Sequence, residues 1–213
     1  MKKINKLANF WIRLTSTLID LIIFLGLAIG FSFLVFDYKN ANYYNKYTYY
    51  PWVIFMAFLP ILLWVIIPII WKGKTFGMFI CRIKTIPEDS KKKLSKAIFD
   101  RQRLFAFFWM FVFLSYLIIS PEGFLHAASG QKLNYGEKIA FGLPTTLASL
   151  TSFMQLFIII TNAKSTRIGW NDKFSQTYTV WINKYELVEN PDEDIKNIIK
   201  PIKRELPIIK FEN

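Results

Sequence analysis

One cysteine, one histidine and few acids leave little room for most soluble chemistries. With Cys81 alone no intramolecular disulfide can form. With His126 alone there are too few soft ligands for a zinc or iron–sulfur site, so neither a metal nor another cofactor is expected. The chain has no Gly-x-Ser-x-Gly elbow and no pair of carboxylates placed for acid–base work, so no enzymatic activity is expected. Internal repeats and low-complexity tracts are absent too. Acids are outnumbered, 15 Asp and Glu against 27 Lys and Arg, for a net charge of +12. In a soluble protein that surplus would suggest nucleic acid as partner. Here the basic residues flank apolar blocks, which excludes nucleic acid and favours an anionic lipid surface along residues 72–103.

What the chain has in excess is apolar sequence, 53% hydrophobic and 18% aromatic residues. It is gathered in blocks of about twenty rather than in amphipathic stripes, which is the pattern of bilayer spans. Four such blocks predict an all-α integral membrane protein with helices at about 14–36, 51–71, 104–120 and 139–161. The first is longer than a signal-peptide core and is expected to be retained. It holds a single charge, Asp20. The second has none, but Pro60 and Pro68 each free a carbonyl and can kink it. The third sits at the lower length limit for crossing the hydrocarbon. The fourth carries Thr145, Thr146, Ser149, Thr151, Ser152 and Gln155, a small polar face expected to pack against neighbouring helices more than lipid.

Basic residues set the orientation. The amino-terminal segment carries four, the 72–103 connection ten and the stretch after residue 161 nine, whereas 37–50 and 121–138 hold two each. This alternation predicts that both ends and the 72–103 loop lie in the cytoplasm. Trp11 and Trp71 on the inner side, and Trp52 with a run of tyrosines from Tyr43 to Tyr50 on the outer, suit interfacial anchors. Two short runs rich in β-branched and aromatic residues, 79–86 and 177–182, can pair as a small cytoplasmic β-ribbon. Residues 183–213 read as a charged cytoplasmic tail.

Three segments carry a resemblance. Phe10-Trp11-Ile12-Arg13 is followed by Ser16, Leu18, Ile19 and Asp20; Gly73-Lys74-Thr75-Phe76-Gly77 is followed by Ile80 and Ile83; and Arg167-Ile168-Gly169-Trp170-Asn171-Asp172-Lys173 is followed by Thr177 and Val180. In order and position these resemble the RDD family of bacterial integral membrane proteins, named for an arginine and two aspartates, over about residues 7–182. Met78 departs from the basic residue usual after the second glycine, and four spans exceed the three or so often described for the family. The resemblance implies a multi-pass protein of the bacterial cell membrane, with Arg13, Asp20 and Asp172 as marked residues. It implies no settled activity, although ion or solute transport is often suspected.

An ionisable group two turns inside a span costs about 2.5–3.5 kcal/mol near the bilayer centre, so Asp20 should be compensated. Arg13 precedes it by seven residues on the same helix face, about 10 Å along the axis, too far for a direct bridge. An Arg13–Asp172 or an Arg103–Asp172 pair is permitted by the orientation, and Arg13, Asp20 and Asp172 are expected to converge at the inner membrane face. Two readings stay open. One is a cation or proton site, with Asp20 coordinating or titrating, Arg13 tuning it and Ser16 or fourth-span hydroxyls supplying oxygens. The other is an ion-pair network that fixes helix packing. The segment holding Gly73, Thr75 and Gly77 lacks the full phosphate-loop spacing and is expected to be a turn out of the membrane. The corresponding functions are transport of a cation, proton or small solute, with homo-oligomerisation, or a non-transporting scaffold, partner subunit or assembly factor bound to a membrane partner protein.

The orientation is checked by single-cysteine labelling in a Cys81→Ser background. An impermeant maleimide applied to intact cells is expected to label Lys132→Cys and not Lys96→Cys. Labelling of Lys96→Cys alone would invert the topology.

Overall fold

The computed structural model describes residues 2–36, 45–89, 92–103, 105–163 and 167–188. The strongest apolar block becomes helix α1, Phe10–Val35, uninterrupted because the segment contains no proline. Its four buried residues, Arg13, Ser16, Asp20 and Phe24, recur at helical spacing and form a single stripe. Three of them are polar, so α1 packs by hydrogen bonding at one end and by apolar contact from Phe24 onward.

Asn45 starts α2, Lys46–Ile70, by accepting from the backbone N–H groups of Tyr47 and Thr48. Between Pro60 and Pro68 the helix widens into a π-turn, Leu62–Ile66, in which the Ile67 N–H reaches five residues back to the Leu62 carbonyl. Three consecutive side chains, Leu63, Trp64 and Val65, are buried there. With Phe24, Met56, Leu59 and Ala106 they form the main apolar core, and Trp64 stacks on Phe24 with ring centroids 5.5 Å apart.

Thr75 caps a short helix, α3, Phe76–Ile80, which leads through a turn into strand β2, Ile83–Pro87. The expected ribbon therefore begins at Ile83. Residues 79 and 80 are helical because the Thr75 hydroxyl accepts from the Met78 N–H and starts a turn of helix. β2 pairs antiparallel with β3, Thr177–Val188, with Ile83 opposite Trp181 and Pro87 opposite Thr177. The segment Lys2–Leu7 adds strand β1 on the other side of β3, giving a three-stranded sheet in the order β1-β3-β2. β3 runs to Val188, so the first part of the expected tail is strand, and the rest lies outside the described residues.

The third block differs from expectation. Helix α4, Leu94–Gln102, is followed by α5, Ala106–Ser115, which ends in a 3-10 turn, Tyr116–Ile118, and the two helices meet at 50°. The apolar part starts at Ala106 and covers about 20 Å at helical rise, short of the hydrocarbon thickness unless α4 extends it. Helix α6, Pro121–Ala128, follows, and then α7, Tyr135–Thr161. α7 starts earlier than its apolar block because the Glu137 carboxylate accepts from the Asn134 N–H in a capping box. α7 is largely exposed, and its polar face packs only in part, with Thr151 buried and Gln155 accepting from the Trp109 indole N–H of α5 at 3.1 Å. Thr145 and Thr146 turn back onto their own helix, donating to the Phe141 and Gly142 carbonyls, which satisfies the hydroxyls without a neighbouring helix.

The last helix is α8, Trp170–Ser175. Three helices, α1, α2 and α7, are long and apolar enough to cross a membrane, and α4 with α5 makes a fourth if that bent pair is one span. Large apolar side chains such as Ile22, Phe33, Phe58, Phe153 and Ile160 point outward from these helices, as on a lipid-facing surface.

Gly77 lies where α3 crosses α1. A Cβ there would sit 2.0 Å from the Ser16 carbonyl oxygen, and backbone cannot yield as a side-chain tip can. Gly77→Ala is expected to destabilise the protein by about 1–3 kcal/mol through overpacking. Gly142→Ala meets nothing within 4 Å and should be neutral. Thermal unfolding in detergent distinguishes them, and equal midpoints would refute the close approach.

Candidate functional site

Two polar centres sit one above the other along the α1 stripe. The first is a carboxylate clamp. Asp172, near the start of α8, takes the guanidinium of Arg13 on Oδ2 and that of Arg101 on Oδ1. Its Oδ2 also accepts from the Gly169 N–H at 3.1 Å, which ties the carboxylate to its own helix start. Arg101 donates further to the Thr177 and Thr179 hydroxyls, at 2.8 and 3.1 Å. Arg13 donates to Asn162 Oδ1 at 3.0 Å and to the Arg167 carbonyl at 3.3 Å. Exposures of 7%, 9% and 2% for Arg13, Arg101 and Asp172 make this a nearly dry cluster. It joins α1, α4, the end of α7, α8 and β3.

Burial alone would raise the pKa of Asp172. The opposing charges of Arg101 and Arg13, and the hydrogen bonds from both, more than reverse this and hold the carboxyl below its usual range. Gly169 permits the closeness, since a Cβ there would fall 1.9 Å from Asn162 Oδ1, the atom that receives Arg13. Arg167 sits at a φ of 56°, a costly conformation for a non-glycine residue, and its carbonyl faces the Arg13 guanidinium.

The expected Arg13–Asp172 pair is present, while the second cation is Arg101 and not Arg103. Positions two apart on a helix differ by about 200° in direction, so only one of these arginines can face inward. Arg101 follows the buried Ala97 and Ile98 at helical spacing, whereas Arg103 is exposed beside Lys96 and Asp100. That periodicity is the signal in the sequence that favours Arg101.

The second centre is Asp20, 8% exposed. It does not join the clamp. The Thr75 hydroxyl donates to its Oδ2 at 2.6 Å and the Gly77 N–H to its Oδ1 at 2.7 Å. The glycine–threonine segment is thus a receptor for the Asp20 carboxylate as well as a turn. Gly73, at a φ of +89°, closes that turn by accepting from the Thr85 N–H of β2 at 2.8 Å. Ser16 contributes a backbone carbonyl against Gly77. Cys81 is buried against Ala8 and Ile83, where burial and then the Asp20 charge push its thiol pKa up, away from reactivity.

Between the two centres lies a cavity of about 110 Å³, lined by Thr17, Asp20, Thr75, Arg101, Gln155 and Asn171 among others, with Trp64 and Phe105 as apolar wall. It can hold water or a small polar molecule. Asn171, itself 8% exposed, is also a lining residue, and its Oδ1 is buried without a hydrogen-bond partner. Ser16 is not among the lining residues. Among the described residues no group of three or more His, Cys, Asp or Glu could hold a metal ion.

A family model described as "RDD family" matches residues 7–176, a stretch that contains both centres. No curated protein and no solved structure matches the chain.

Removing the clamp carboxylate leaves two buried guanidinium groups unpaired. Asp172→Ala is expected to cost about 3–5 kcal/mol of stability, and Arg103→Ala no more than about 0.5 kcal/mol. Because the folded-state pKa of Asp172 is depressed, its contribution is fully present above the ordinary carboxylate value of about 4 and is lost as pH falls through the lower folded value. The gap in thermal unfolding between wild type and Asp172→Ala, followed across pH 3–7, should therefore narrow toward the acid end. A gap independent of pH would refute the ion-pair account.

Proposed function

The chain belongs to the RDD family, and from that premise we propose that it is a multi-pass protein of the bacterial cell membrane that supports passage of a cation, proton or small solute, with Asp20 meeting the transported species. The observation that carries this reading is the polar cavity into which Asp20 faces, beside the apolar core of a bundle whose outer surface is apolar.

The division of labour between the two centres supports it. Asp172 is fully engaged by two arginines and a backbone N–H, which suits a structural tie. Asp20 accepts one hydrogen bond on each oxygen and is paired with no guanidinium, so its carboxylate retains acceptor capacity toward the cavity. A buried carboxylate that retains capacity beside a cavity is costly inside an apolar bundle, and such groups mark pathways more often than packing contacts. In this reading both ends and the sheet face the cytoplasm, and the lysines and arginines of residues 72–103 rest on anionic headgroups. The small bundle leaves little room for a complete internal pathway, so the working form is a homo-oligomer, and no enzymatic step is involved.

The test is permeability of proteoliposomes, read by light scattering and by a proton-sensitive dye, over a panel of monovalent cations and small polar solutes. Wild type is expected to exceed empty vesicles for at least one species, and Asp20→Asn to lose that excess while still folding. No excess over empty vesicles, or an excess untouched by Asp20→Asn, would refute transport through this site.

A further inference from the structure

We propose that the cavity beside Asp20 binds a small zwitterion, its ammonium group on Asp20 and its carboxylate on Arg101. The inference rests on the reading of this cavity as the site of passage and narrows the species.

Charge decides between classes of ligand. The cavity is lined by one carboxylate, Asp20, and one guanidinium, Arg101; its other lining residues are uncharged. Beyond the wall, Arg101 shares Asp172 with Arg13. The four groups contain two positive and two negative charges and are balanced as they stand. An inorganic cation would leave one uncompensated positive charge in a nearly dry region, and an anion one uncompensated negative charge, each at substantial cost. A zwitterion leaves the balance intact. A desolvated metal ion also needs several oxygen ligands including carboxylates, and Asp20 is the one carboxylate on the wall.

The hydrogen-bonding capacity is bipolar in the same sense. Each Asp20 oxygen accepts one protein hydrogen bond, from Thr75 or Gly77, and a carboxylate has about four acceptor positions. The remaining positions on Asp20 suit the donors of an ammonium group. Arg101 spends donors on Asp172, Thr177 and Thr179, and a guanidinium has about five, so it retains capacity for a second carboxylate. Trp64 and Phe105 offer an apolar wall to whatever short carbon chain joins the two ends. A cavity of about 110 Å³ limits that chain to a compact molecule.

The experiment is equilibrium binding of radiolabelled glycine to the purified full chain in nanodiscs, competed by methylammonium, by acetate and by sodium chloride. Saturable glycine binding is expected, with methylammonium and acetate each at least about tenfold weaker as competitors because each meets only one end of the site. Asp20→Asn and Asn171→Leu should each weaken glycine binding by about tenfold or more while keeping the wild-type melting profile, since neither side chain is a partner in the Asp172 clamp. The absence of saturable glycine binding, equal competition by methylammonium, or binding unchanged in both variants would overturn the proposal. Sodium binding without glycine binding would overturn it and leave passage of a cation standing. Glycine binding without flux in vesicles would uphold the site and remove transport.

Discussion

The Asp172 carboxylate, held between two guanidinium groups, is the contact on which the arrangement of the chain depends. It is a short-range interaction between residues far apart in sequence, with Arg13 near the start of α1, Arg101 at the end of α4 and Asp172 between α7 and β3. Each partner is buried, and an unpaired charge in that position would be far costlier than an open loop. The geometry is therefore met only when α1, α4 and α8 come together at one end of the bundle. Once they do, the Arg101 contacts to Thr177 and Thr179 fix the edge of β3 nearest the helices, and the sheet follows.

The second centre is organised from the same helix but by different chemistry. Asp20 is held by a hydroxyl and a backbone N–H, groups that position a carboxylate without neutralising it. Gly77 makes this possible by bringing α3 against the Ser16 carbonyl, and Gly73 by turning the chain with a positive φ so that β2 runs back beneath it. The result is one helix face with a neutralised end and an unneutralised end, and a polar cavity between them.

Much of this is legible in the sequence because α1 and the other long helices are dictated by local physics. Apolar blocks give the long helices, and the spacing of Arg13, Ser16 and Asp20 places them on one face whatever the tertiary context. The glycine–threonine turn is legible as a turn, but nothing local says that its Thr75 and Gly77 would serve Asp20, a contact spanning more than fifty residues. The choice of Arg101 over Arg103 turns on the phase of α4, a helix that is not itself apolar, and the third block looks straight because its apolar run conceals the bend that precedes it. β1 leaves the weakest trace. Lys2–Leu7 lacks the alternation of a half-buried strand, and it is strand because β3 offers it an edge.

The sheet order β1-β3-β2 sets a sequence of events in assembly. The strand made last lies in the middle, so the two made earlier have no partner in each other and must wait for it. The same holds for Arg13 and Arg101, whose counter-ion Asp172 is made after every long helix. Both closures span most of the chain, and contacts of that separation form late and cooperatively. The bundle therefore closes only once α8 and β3 have been made. A chain stopped before α8 would hold two arginines without a carboxylate and two strands without a bridge, so the same polar groups that tie the whole fold together would leave the partial one open.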